Sequence, residues 1–396
     1  MNNCKIYLKP KKEESLLRFH PWIFSGAIAS IEGNPAEGDP VDVFSSNHQF
    51  LGVGHYQIGS IMVRILSFTP VDIDIAFWTE RIRKALVLRQ APGLISSAEN
   101  DTFRLIHGEG DCLPGLIIDM YAHTAVVQAH TAGMHHARRD IAKALCEIFG
   151  SHIHRIYYKS EGTLPYKADL GGENEYLFGG DYNEPPVATE NGMKFHIDWL
   201  KGQKTGFFID QRDNRVLLRQ YAKDRAVLNM FCYTGSFSVY ALLGGASLVH
   251  SVDSSAKAIA LTNENVSLNF PEDTRHQAFT EDAFAYMENM DDKYDLIILD
   301  PPAFAKHKNV LRNALLGYRK LNAIALKKIR PGGILFTFSC SQIVSKNDFR
   351  LTVFSAAAQT GRAVRILHQL AQPADHPINI YHPEGEYLKG LVLQIE

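Results

Sequence analysis

Residues 227–241 read V-L-N-M-F-C-Y-T-G-S-F-S-V-Y-A and decide the interpretation of the whole chain. A short apolar segment passes through a turn containing Gly235 and small hydroxyl residues, and then continues in a helical pattern. In an α/β sheet this order predicts a tight turn and a helix N-terminus at the carboxyl end of a strand, where ligands bind. Taken alone, the stretch is equally typical of any nucleotide-binding or purely structural βα turn.

Two further predicted strands end in acidic residues. Leu248–Val252 is followed by Asp253, and Asp295–Leu299 by Asp300-Pro301-Pro302. A carboxylate at the end of the second strand suits a ribose, because it accepts hydrogen bonds from both hydroxyl groups. The turn lacks the G-x-G-x-x-G spacing of dinucleotide binders and the G-K-[ST] ending of a P-loop. The three strand ends together resemble the Rossmann-like class of S-adenosyl-L-methionine-dependent methyltransferases.

Length and composition indicate a globular chain of two or three domains, with 396 residues, 45% hydrophobic and 21% charged. No apolar run reaches the roughly 18 residues of a membrane span. The N-terminus lacks the apolar core of a signal peptide, so the sequence predicts a cytoplasmic protein. The 5 scattered cysteines contain no C-x-x-C pair, which argues against a disulfide framework and a zinc site.

The first 72 residues predict short strands between glycine-rich turns, typical of a small β-barrel: Lys5–Leu8, Val41–Phe44, Phe50–Tyr56 and Ile61–Ser67. With S-L-L-R-F-H-P-W-I-F-S-G, they resemble a PUA domain, a small RNA-binding barrel; a purely structural β module is the alternative. Residues 73–185 predict an α+β middle domain. Residues 186–396 predict a hairpin and then alternating strands and helices, which indicate a mainly parallel sheet.

Motifs spread over almost the whole chain resemble the bacterial 23S ribosomal RNA large subunit methyltransferase I family. They are K-T-G-F-F-I-D-Q-R-D-N-R, V-L-N-M-F-C-Y-T-G-S-F, S-V-D-S-S, L-D-P-P-A-F, F-T-F-S-C-S, A-D-H-P and P-E-G-E-Y-L-K-G. The resemblance implies a PUA-like barrel, an α+β middle domain and a Rossmann-like methyltransferase domain. It also implies S-adenosyl-L-methionine as cofactor, 23S ribosomal RNA or a large-subunit precursor as partner, and 5-methylcytosine as product.

The same resemblance implies a set of cofactor-binding residues: Gln211, Arg212, Asn229, Phe231, Tyr233, Thr234, Gly235, Asp253, Asp282 and Asp300. Asp253 would hold the ribose, Asp282 would reach the adenine amine, and Asp300 would lie beside the sulfonium and the base. Two of these residues have simpler alternatives. Asp282 is equally suited to cap the helix that follows it, and Arg212 to pair with an acidic neighbour.

The expected chemistry depends on Cys340 and Asp300. Carbon 5 of cytosine is a poor nucleophile until a thiolate adds at carbon 6 and converts the ring to an enamine. Cys340 follows an apolar strand and would emerge beside the end of the Asp300 strand, so we expect Cys340 to be the nucleophile and Asp300 to hydrogen-bond the ring. An inert core cysteine is the alternative. Cys232, the rival thiol, is interpreted as packing in the cofactor turn.

Two features depart from related enzymes. RNA 5-methylcytosine enzymes of the two-cysteine type carry a second cysteine after the aspartate–proline pair, where this chain has Ala303, so another base must remove the carbon 5 proton. Enzymes that methylate exocyclic amines usually place an aromatic residue directly after the two prolines. Here the aromatic comes one position later, at Phe304. This position weakens the amine-methylating alternative. A guanine N2-methyltransferase remains the first alternative, and a non-catalytic RNA-binding ribosome assembly factor the second.

Local charge supplies the argument for RNA. The chain has a net charge of -2, but the segment from Pro301 to Asn347 contains no Asp or Glu and nine Lys or Arg residues. We expect Lys306, Lys308 and Arg312 to bind RNA phosphates. An ordinary basic helix with acidic neighbours is the alternative. The sequence predicts no membrane partner and leaves a homodimer open.

Overall fold

The computed structural model describes residues 3–95, 99–165, 170–171, 173–180, 186–305 and 307–396. The chain forms two compact units. Unit 1 comprises Met1–Asn191, Ile197–Phe207 and Ala374–Gly385; unit 2 comprises Gly192–His196, Phe208–Pro373 and Glu386–Glu396. Within the described ranges, no helix combines the length and the apolar character that crossing a membrane requires.

Unit 1 begins with a six-stranded sheet of order β2-β6-β5-β4-β1-β3. All neighbours are antiparallel except β1 and β4. The interior is apolar and includes Ile6, Val41 and Val63, each fully buried. The elements are β1 (Cys4–Leu8), α1 (Glu14–Leu17), β2 (Trp22–Phe24), β3 (Ile28–Glu32), β4 (Pro40–Phe44), β5 (Phe50–Tyr56) and β6 (Ile61–Ser67). The four predicted strands of the small N-terminal β domain are confirmed, and β2 and β3 are strands that the sequence did not indicate.

A second sheet of unit 1 has the order β11-β10-β9-β8-β7 and packs with helices into a common apolar core. Asp74 accepts a hydrogen bond from the Phe77 amide at 2.9 Å and so starts the longest of them. The elements are α2 (Ile75–Gln90), β7 (Thr102–His107), β8 (Leu116–Tyr121), β9 (Thr124–Ala129), α3 (Ala132–His136), α4 (Arg138–Phe149), β10 (Arg155–Tyr158), β11 (Glu175–Phe178) and β12 (Val187–Glu190).

The A-D-H-P motif lies in the late segment of unit 1 and is structural. Asp375 is fully buried and accepts a hydrogen bond from the Arg104 amide at 2.9 Å. Arg89 donates to the Asp375 carbonyl at 2.9 Å and also pairs with Asp111. Because both carboxylates have partners, their burial is stable. The motif therefore holds residues 374–385 to the middle sheet.

Unit 2 is built on a seven-stranded sheet of order β16-β15-β14-β17-β18-β20-β19. Strands β14 to β18 are mutually parallel, and β20 is antiparallel to β18 and β19. The strands of this sheet are β14 (Ala226–Met230), β15 (Leu248–Asp253), β16 (His276–Thr280), β17 (Leu296–Leu299), β18 (Ile334–Ser339), β19 (Val364–Leu370) and β20 (Lys389–Ile395), and β13 (Met193–His196) is not part of it. The helices are α5 (Arg212–Tyr221), α6 (Ser236–Leu243), α7 (Ala256–Asn269), α8 (Ala283–Asn289), α9 (Leu311–Lys328) and α10 (Lys346–Thr360).

The central strands explain why this sheet was predictable. Strands β17 and β18 are buried along their entire length, as expected of parallel strands covered on both faces. The strand order reverses between β14 and β17, and open α/β sheets bind ligands at such a point. The predicted Rossmann-like α/β fold is confirmed. The antiparallel return through β19 and β20 was not predicted. The domain limits 1–72, 73–185 and 186–396 stay a prediction, and each large sheet lies within one of them.

Candidate active site

The turn between β14 and α6 has an unusual backbone. Phe231 and Tyr233 adopt left-handed conformations with φ of 59° and 47°, and Gly235 follows with φ of 73°. A Cβ atom on Gly235 would lie 2.5 Å from Thr262 Cγ2, so only glycine fits. Strained conformations in non-glycine residues are typical of ligand-binding turns. The predicted role of Gly235 in a close backbone approach agrees with this geometry.

Asp253 fixes this turn from the end of β15. One carboxylate oxygen accepts a hydrogen bond from the Tyr233 amide at 3.1 Å, and the other from the Ser255 amide at 2.9 Å. Each carboxylate oxygen has two lone pairs, so acceptor capacity remains for a ligand hydroxyl. Asp253 is half-buried at the sheet edge, where a ribose was expected.

Asn229 and Thr234 are buried beneath the same turn. The Asn229 amide nitrogen donates to Ser238 Oγ at 2.9 Å, and the Thr234 carbonyl accepts from Asn265 at 2.9 Å. Asn229 Oδ1 is a buried acceptor with no hydrogen-bond partner among the described residues. A buried polar atom of this kind is costly unless a ligand or water satisfies it. Asn229 Oδ1 therefore has acceptor capacity that a bound donor group could use.

The other predicted cofactor residues occupy helix starts. Asp282 is exposed and caps α8 by accepting from the Ala285 amide at 3.0 Å, so its simpler role is present. Gln211 and Arg212 are both buried at the start of α5, and Gln211 Oε1 accepts from Asn214 at 2.6 Å. Arg215, which the sequence analysis did not single out, donates to the Phe208 carbonyl at 3.0 Å. Helix α5 thus contacts the residue directly before the short 3₁₀ turn (Ile209–Gln211) that precedes it.

Cys340 and Asp300 follow the ends of two neighbouring strands. Strands β17 and β18 are parallel neighbours, and Leu299 is in register with Thr337. Cys340 Sγ lies 3.8 Å from the carbonyl oxygen of Pro301, the residue after Asp300. Cys340 is half-buried. The thiol therefore lies beside the Asp300-Pro301 segment, at the carboxyl edge of the sheet.

The loop after Pro302 is held by its neighbours. The Ala305 amide donates to Ser341 Oγ at 3.4 Å, and the Tyr318 hydroxyl lies 3.3 Å from the same oxygen. Phe304 packs on the Tyr318 ring with centroids 4.6 Å apart. Burial raises the pKa of Tyr318, so its hydroxyl keeps the proton with which it hydrogen-bonds. The Phe304 ring thus packs against Tyr318 in this structure.

Lys389 is a site residue that the sequence analysis missed. It begins β20 opposite Ser339, and its Nζ donates to the Ser341 carbonyl at 2.6 Å and the Tyr387 carbonyl at 2.8 Å. Burial lowers its pKa to about 8, and the charge of Cys340 acts in the opposite direction. Lys389 is therefore mostly cationic at neutral pH. The Y-L-K-G motif was the available signal, but only the antiparallel return of β20 brings it to Cys340.

Cys232, the rival thiol, has a different environment. It is buried, and its Sγ lies 3.7 Å from Thr262 Oγ1. Burial raises its pKa to about 12, so the nucleophilic thiolate form is negligible at neutral pH. The interpretation of Cys232 as packing agrees with this environment.

Of the three predicted phosphate-binding residues, Arg312 is the one whose side chain the structure describes. Lys306 lies outside the described residues, and so does the side chain of Lys308. Arg312 is exposed at the start of α9, beside a groove of about 570 Å³ between α9 and α10. Other cations of the basic segment pair with carboxylates: Lys320 with Glu288 at 3.0 Å and Lys328 with Asp292 at 3.8 Å. The segment is therefore partly neutralised, as the simpler alternative required.

Comparison with known proteins agrees with this architecture. Residues 6–68 match the model of a PUA-like domain, and residues 103–381 match that of an S-adenosylmethionine-dependent methyltransferase. Two solved structures share the fold over 98% of this chain and 99% of theirs. One is described as a SAM-dependent methyltransferase from Streptococcus mutans (22% identity, TM-score 0.83), and the other, SMU.776, was solved in complex with SAH (23%, 0.84). The protein is thus an S-adenosylmethionine-dependent methyltransferase with a PUA-like domain.

Relatives of full length narrow the class. A Pseudoalteromonas atlantica protein named ribosomal RNA large subunit methyltransferase I is 41% identical over 99% of this chain and 100% of its own length. A Tolumonas auensis protein of the same name is 39% identical over 98% of both chains. The chain belongs to the ribosomal RNA large subunit methyltransferase I family.

The residues at this edge fit the cofactor of the class. Asn229 Oδ1 offers a buried acceptor, Asp253 retains acceptor capacity, and Gly235 allows a close backbone approach. S-adenosylmethionine carries an ammonium, ribose hydroxyls and an adenine amine, all of which donate hydrogen bonds. The donors of this cofactor therefore match the acceptors of the turn. The cofactor supplies an activated methyl group when bound.

Proposed function

We propose that the protein methylates carbon 5 of a cytosine in 23S ribosomal RNA, with Cys340 as the nucleophile. The observation that supports the proposal is the 3.8 Å separation between Cys340 Sγ and the carbonyl of Pro301, the residue that follows Asp300 in the sequence. The shared name of the full-length relatives supports a large-subunit ribosomal RNA substrate.

The proposed reaction has four steps. The Cys340 thiolate adds to carbon 6 of the cytosine, and Asp300 in its protonated form donates a hydrogen bond to nitrogen 3 as electron density builds there. Carbon 5 then takes the methyl group from the sulfonium of the cofactor, and the methyl–sulfur bond breaks to leave a neutral thioether. A base removes the carbon 5 proton, and the electron pair of that bond restores the ring double bond as the thiolate leaves carbon 6. Ala303 occupies the position of the second cysteine in the two-cysteine enzymes, so another base or water must remove the carbon 5 proton before Cys340 is released.

Lys389 supplies the charge that this nucleophile requires. A nearby ammonium stabilises a thiolate and lowers its pKa. The Lys389 ammonium is held by carbonyls on either side of the sheet edge, one of them from Ser341. We assign Lys389 the role of positioning this charge, distinct from the role of Cys340 in bond formation.

The cofactor residues keep their proposed assignments. Asn229, Phe231, Tyr233, Thr234 and Gly235 surround the methionine side, together with Gln211 and Arg212. Asp253 holds the ribose, Asp282 reaches the adenine amine with the oxygen that does not cap α8, and Asp300 lies near the sulfonium.

The reaction requires the target base to leave its stack. The thiolate and the methyl group approach carbon 6 and carbon 5 from the faces of the ring, and neighbouring bases cover these faces in a helix. We assign phosphate contacts to Arg312, Lys308 and Lys306 at the start of α9, and a positioning role to the PUA-like barrel. An exposed Arg312 at a helix start supports the first assignment.

Mass spectrometry of modified RNA tests the proposal. The Cys340→Ala variant should bind the cofactor normally and form no 5-methylcytosine in 23S ribosomal RNA. Cys146→Ala, which removes a half-buried thiol from α4, is the matched control and should keep activity. Formation of N2-methylguanine by wild type and Cys340→Ala alike would favour the amine-methylating alternative. Absence of cofactor binding to wild type in calorimetry would favour the assembly factor.

A further inference from the structure

A small cavity of about 280 Å³ opens beside the proposed site, within unit 2. Its walls are the first turn of α10, the end of β19 and the start of β20. This volume is at the lower end of the range for small-molecule sites, so the cavity suits a compact group better than a whole nucleotide.

The cavity is cationic. Lys346, Arg350 and Lys389 line it, and no carboxylate is among the described residues that do so. Arg350 is exposed, and Lys346 pairs with Glu386. Lys389 gives two hydrogen bonds to carbonyls, and an ammonium has a third to give. After the one ion pair is counted, the surroundings retain a positive charge.

The position of the cavity relates it to the nucleophile. Lys389 is in register with Ser339 and donates to the Ser341 carbonyl, so its two backbone neighbours flank Cys340 in the sequence. Gln369, also in the lining, adds a neutral amide donor. Arginine and lysine together with amide donors are the groups that proteins use to bind phosphate.

We infer that this cavity binds a phosphodiester of the RNA next to the nucleotide that enters the active site. The inference rests on the proposed function and adds a specific contact to it. A flipped nucleotide rotates about its own backbone, so a phosphate held beside Cys340 would fix the position of the ring relative to the thiol. Arg350 supplies the exposed half of the contact and Lys389 the buried half.

Salt-dependent RNA binding tests the contact. With full-length protein and transcribed 23S ribosomal RNA, Arg350→Ala should reduce the slope of log affinity against log salt by about 0.7–0.9, the value for one phosphate. It should also weaken binding about three- to tenfold at low salt, since one phosphate contact is lost. Arg350→Lys should restore most of the slope, because a cation remains. Calorimetry should give unchanged S-adenosylmethionine affinity for both variants.

The matched control is Lys327→Ala, which removes one exposed positive charge at the last turn of α9, near the opposite edge of the sheet. An unchanged slope in Arg350→Ala, or an equal decrease in Lys327→Ala, would overturn the inference. Inorganic phosphate supplies a second measurement. It should compete with RNA for wild type at constant ionic strength and not for Arg350→Ala; phosphate binding without competition would identify a site for free anions and contradict the inference.

These measurements report RNA affinity and do not depend on which atom is methylated. If wild type forms no 5-methylcytosine while Arg350→Ala still loses one phosphate contact, the proposed reaction is wrong and the phosphate site stands. If 5-methylcytosine forms but Arg350→Ala binds RNA as wild type does, the phosphate site is wrong and the proposed reaction stands.

Discussion

The two halves of the seven-stranded sheet reach their chemistry by different routes. The half that contains β14, β15 and β16 builds the cofactor turn from consecutive βα units, and Asp253 contacts Tyr233 only 20 residues away. The other half contains β17, β18 and β20, and Lys389 reaches Ser341 across 48 residues. Local motifs therefore define the cofactor half, and a long-range strand return completes the proposed target half. The two halves should respond differently to substitution.

The largest effect is expected in the cofactor half, from Gly235→Ala. The added methyl meets Thr262 at 2.5 Å in a left-handed backbone, so unfolding should become easier by roughly 2–5 kcal/mol. Denaturant unfolding with and without S-adenosylmethionine measures this. Gly332→Ala is the control, because Gly332 has φ of 76° but nothing within 4 Å of its added methyl. Equal losses in both variants would show that the Thr262 contact is unimportant.

Asp253→Asn should cause the next largest effect. The amide keeps one acceptor oxygen and loses the charge, so cofactor affinity should fall by about 1.5–3 kcal/mol. Calorimetry gives the affinity, and circular dichroism establishes that the fold is retained. RNA affinity should not change, because the effect belongs to the cofactor half. A normal cofactor affinity would mean that Asp253 only holds the Tyr233 amide.

Lys389→Met tests the target half alone. Loss of the ammonium should lower kcat about 10- to 100-fold, equivalent to about 1.4–2.7 kcal/mol, and leave cofactor affinity unchanged. In wild type the rate should also fall as pH rises through about 8, where Lys389 loses its proton. That pH limb should be absent in Lys389→Met. A fall in rate near this pH that persists in Lys389→Met would contradict the assignment.

The same pKa predicts a trend in stability. Burial lowers the pKa of Lys389 from 10.5 to about 8, so between these values the unfolded chain binds more protons than the folded one. Stability of wild type relative to Lys389→Met should therefore rise with pH across that window. Urea unfolding at several pH values measures the difference, and a difference that falls with pH would contradict the burial argument.

The smallest effect is expected at Asp282. Serine caps helices about as well as aspartate, whereas alanine costs about 1 kcal/mol. If Asp282 also contacts the adenine amine, Asp282→Ser should keep the stability of wild type and lose cofactor affinity several-fold. If the residue only caps α8, calorimetry should show the affinity of wild type for Asp282→Ser.

The same contrast explains what the sequence could predict. The turn around Gly235 and the acidic ends of β15 and β17 could be predicted from the sequence, because each motif lies within one βα unit. The position of Cys340 at a strand end could be predicted for the same reason, because Cys340 follows the apolar strand β18. Lys389 and the cavity beside Arg350 were not, because β19 and β20 add to the sheet edge out of sequence order and in the antiparallel direction. Periodicity gives no information on such pairing. The ion pairs of Lys320 and Lys328, which reduce the charge of the basic segment, also come from distant residues.

Covalent trapping tests the central claim most directly. Large-subunit ribosomal RNA is transcribed with 5-fluorocytidine in place of cytidine. Carbon 5 then carries fluorine where the natural base has a proton, and a base cannot remove the fluorine. The cysteine adduct should therefore persist after methyl transfer. The account predicts a denaturant-resistant complex of protein and RNA that requires S-adenosylmethionine, with the RNA attached to the peptide containing Cys340. The same RNA with no stable complex, or a complex that survives in Cys340→Ala, would contradict it.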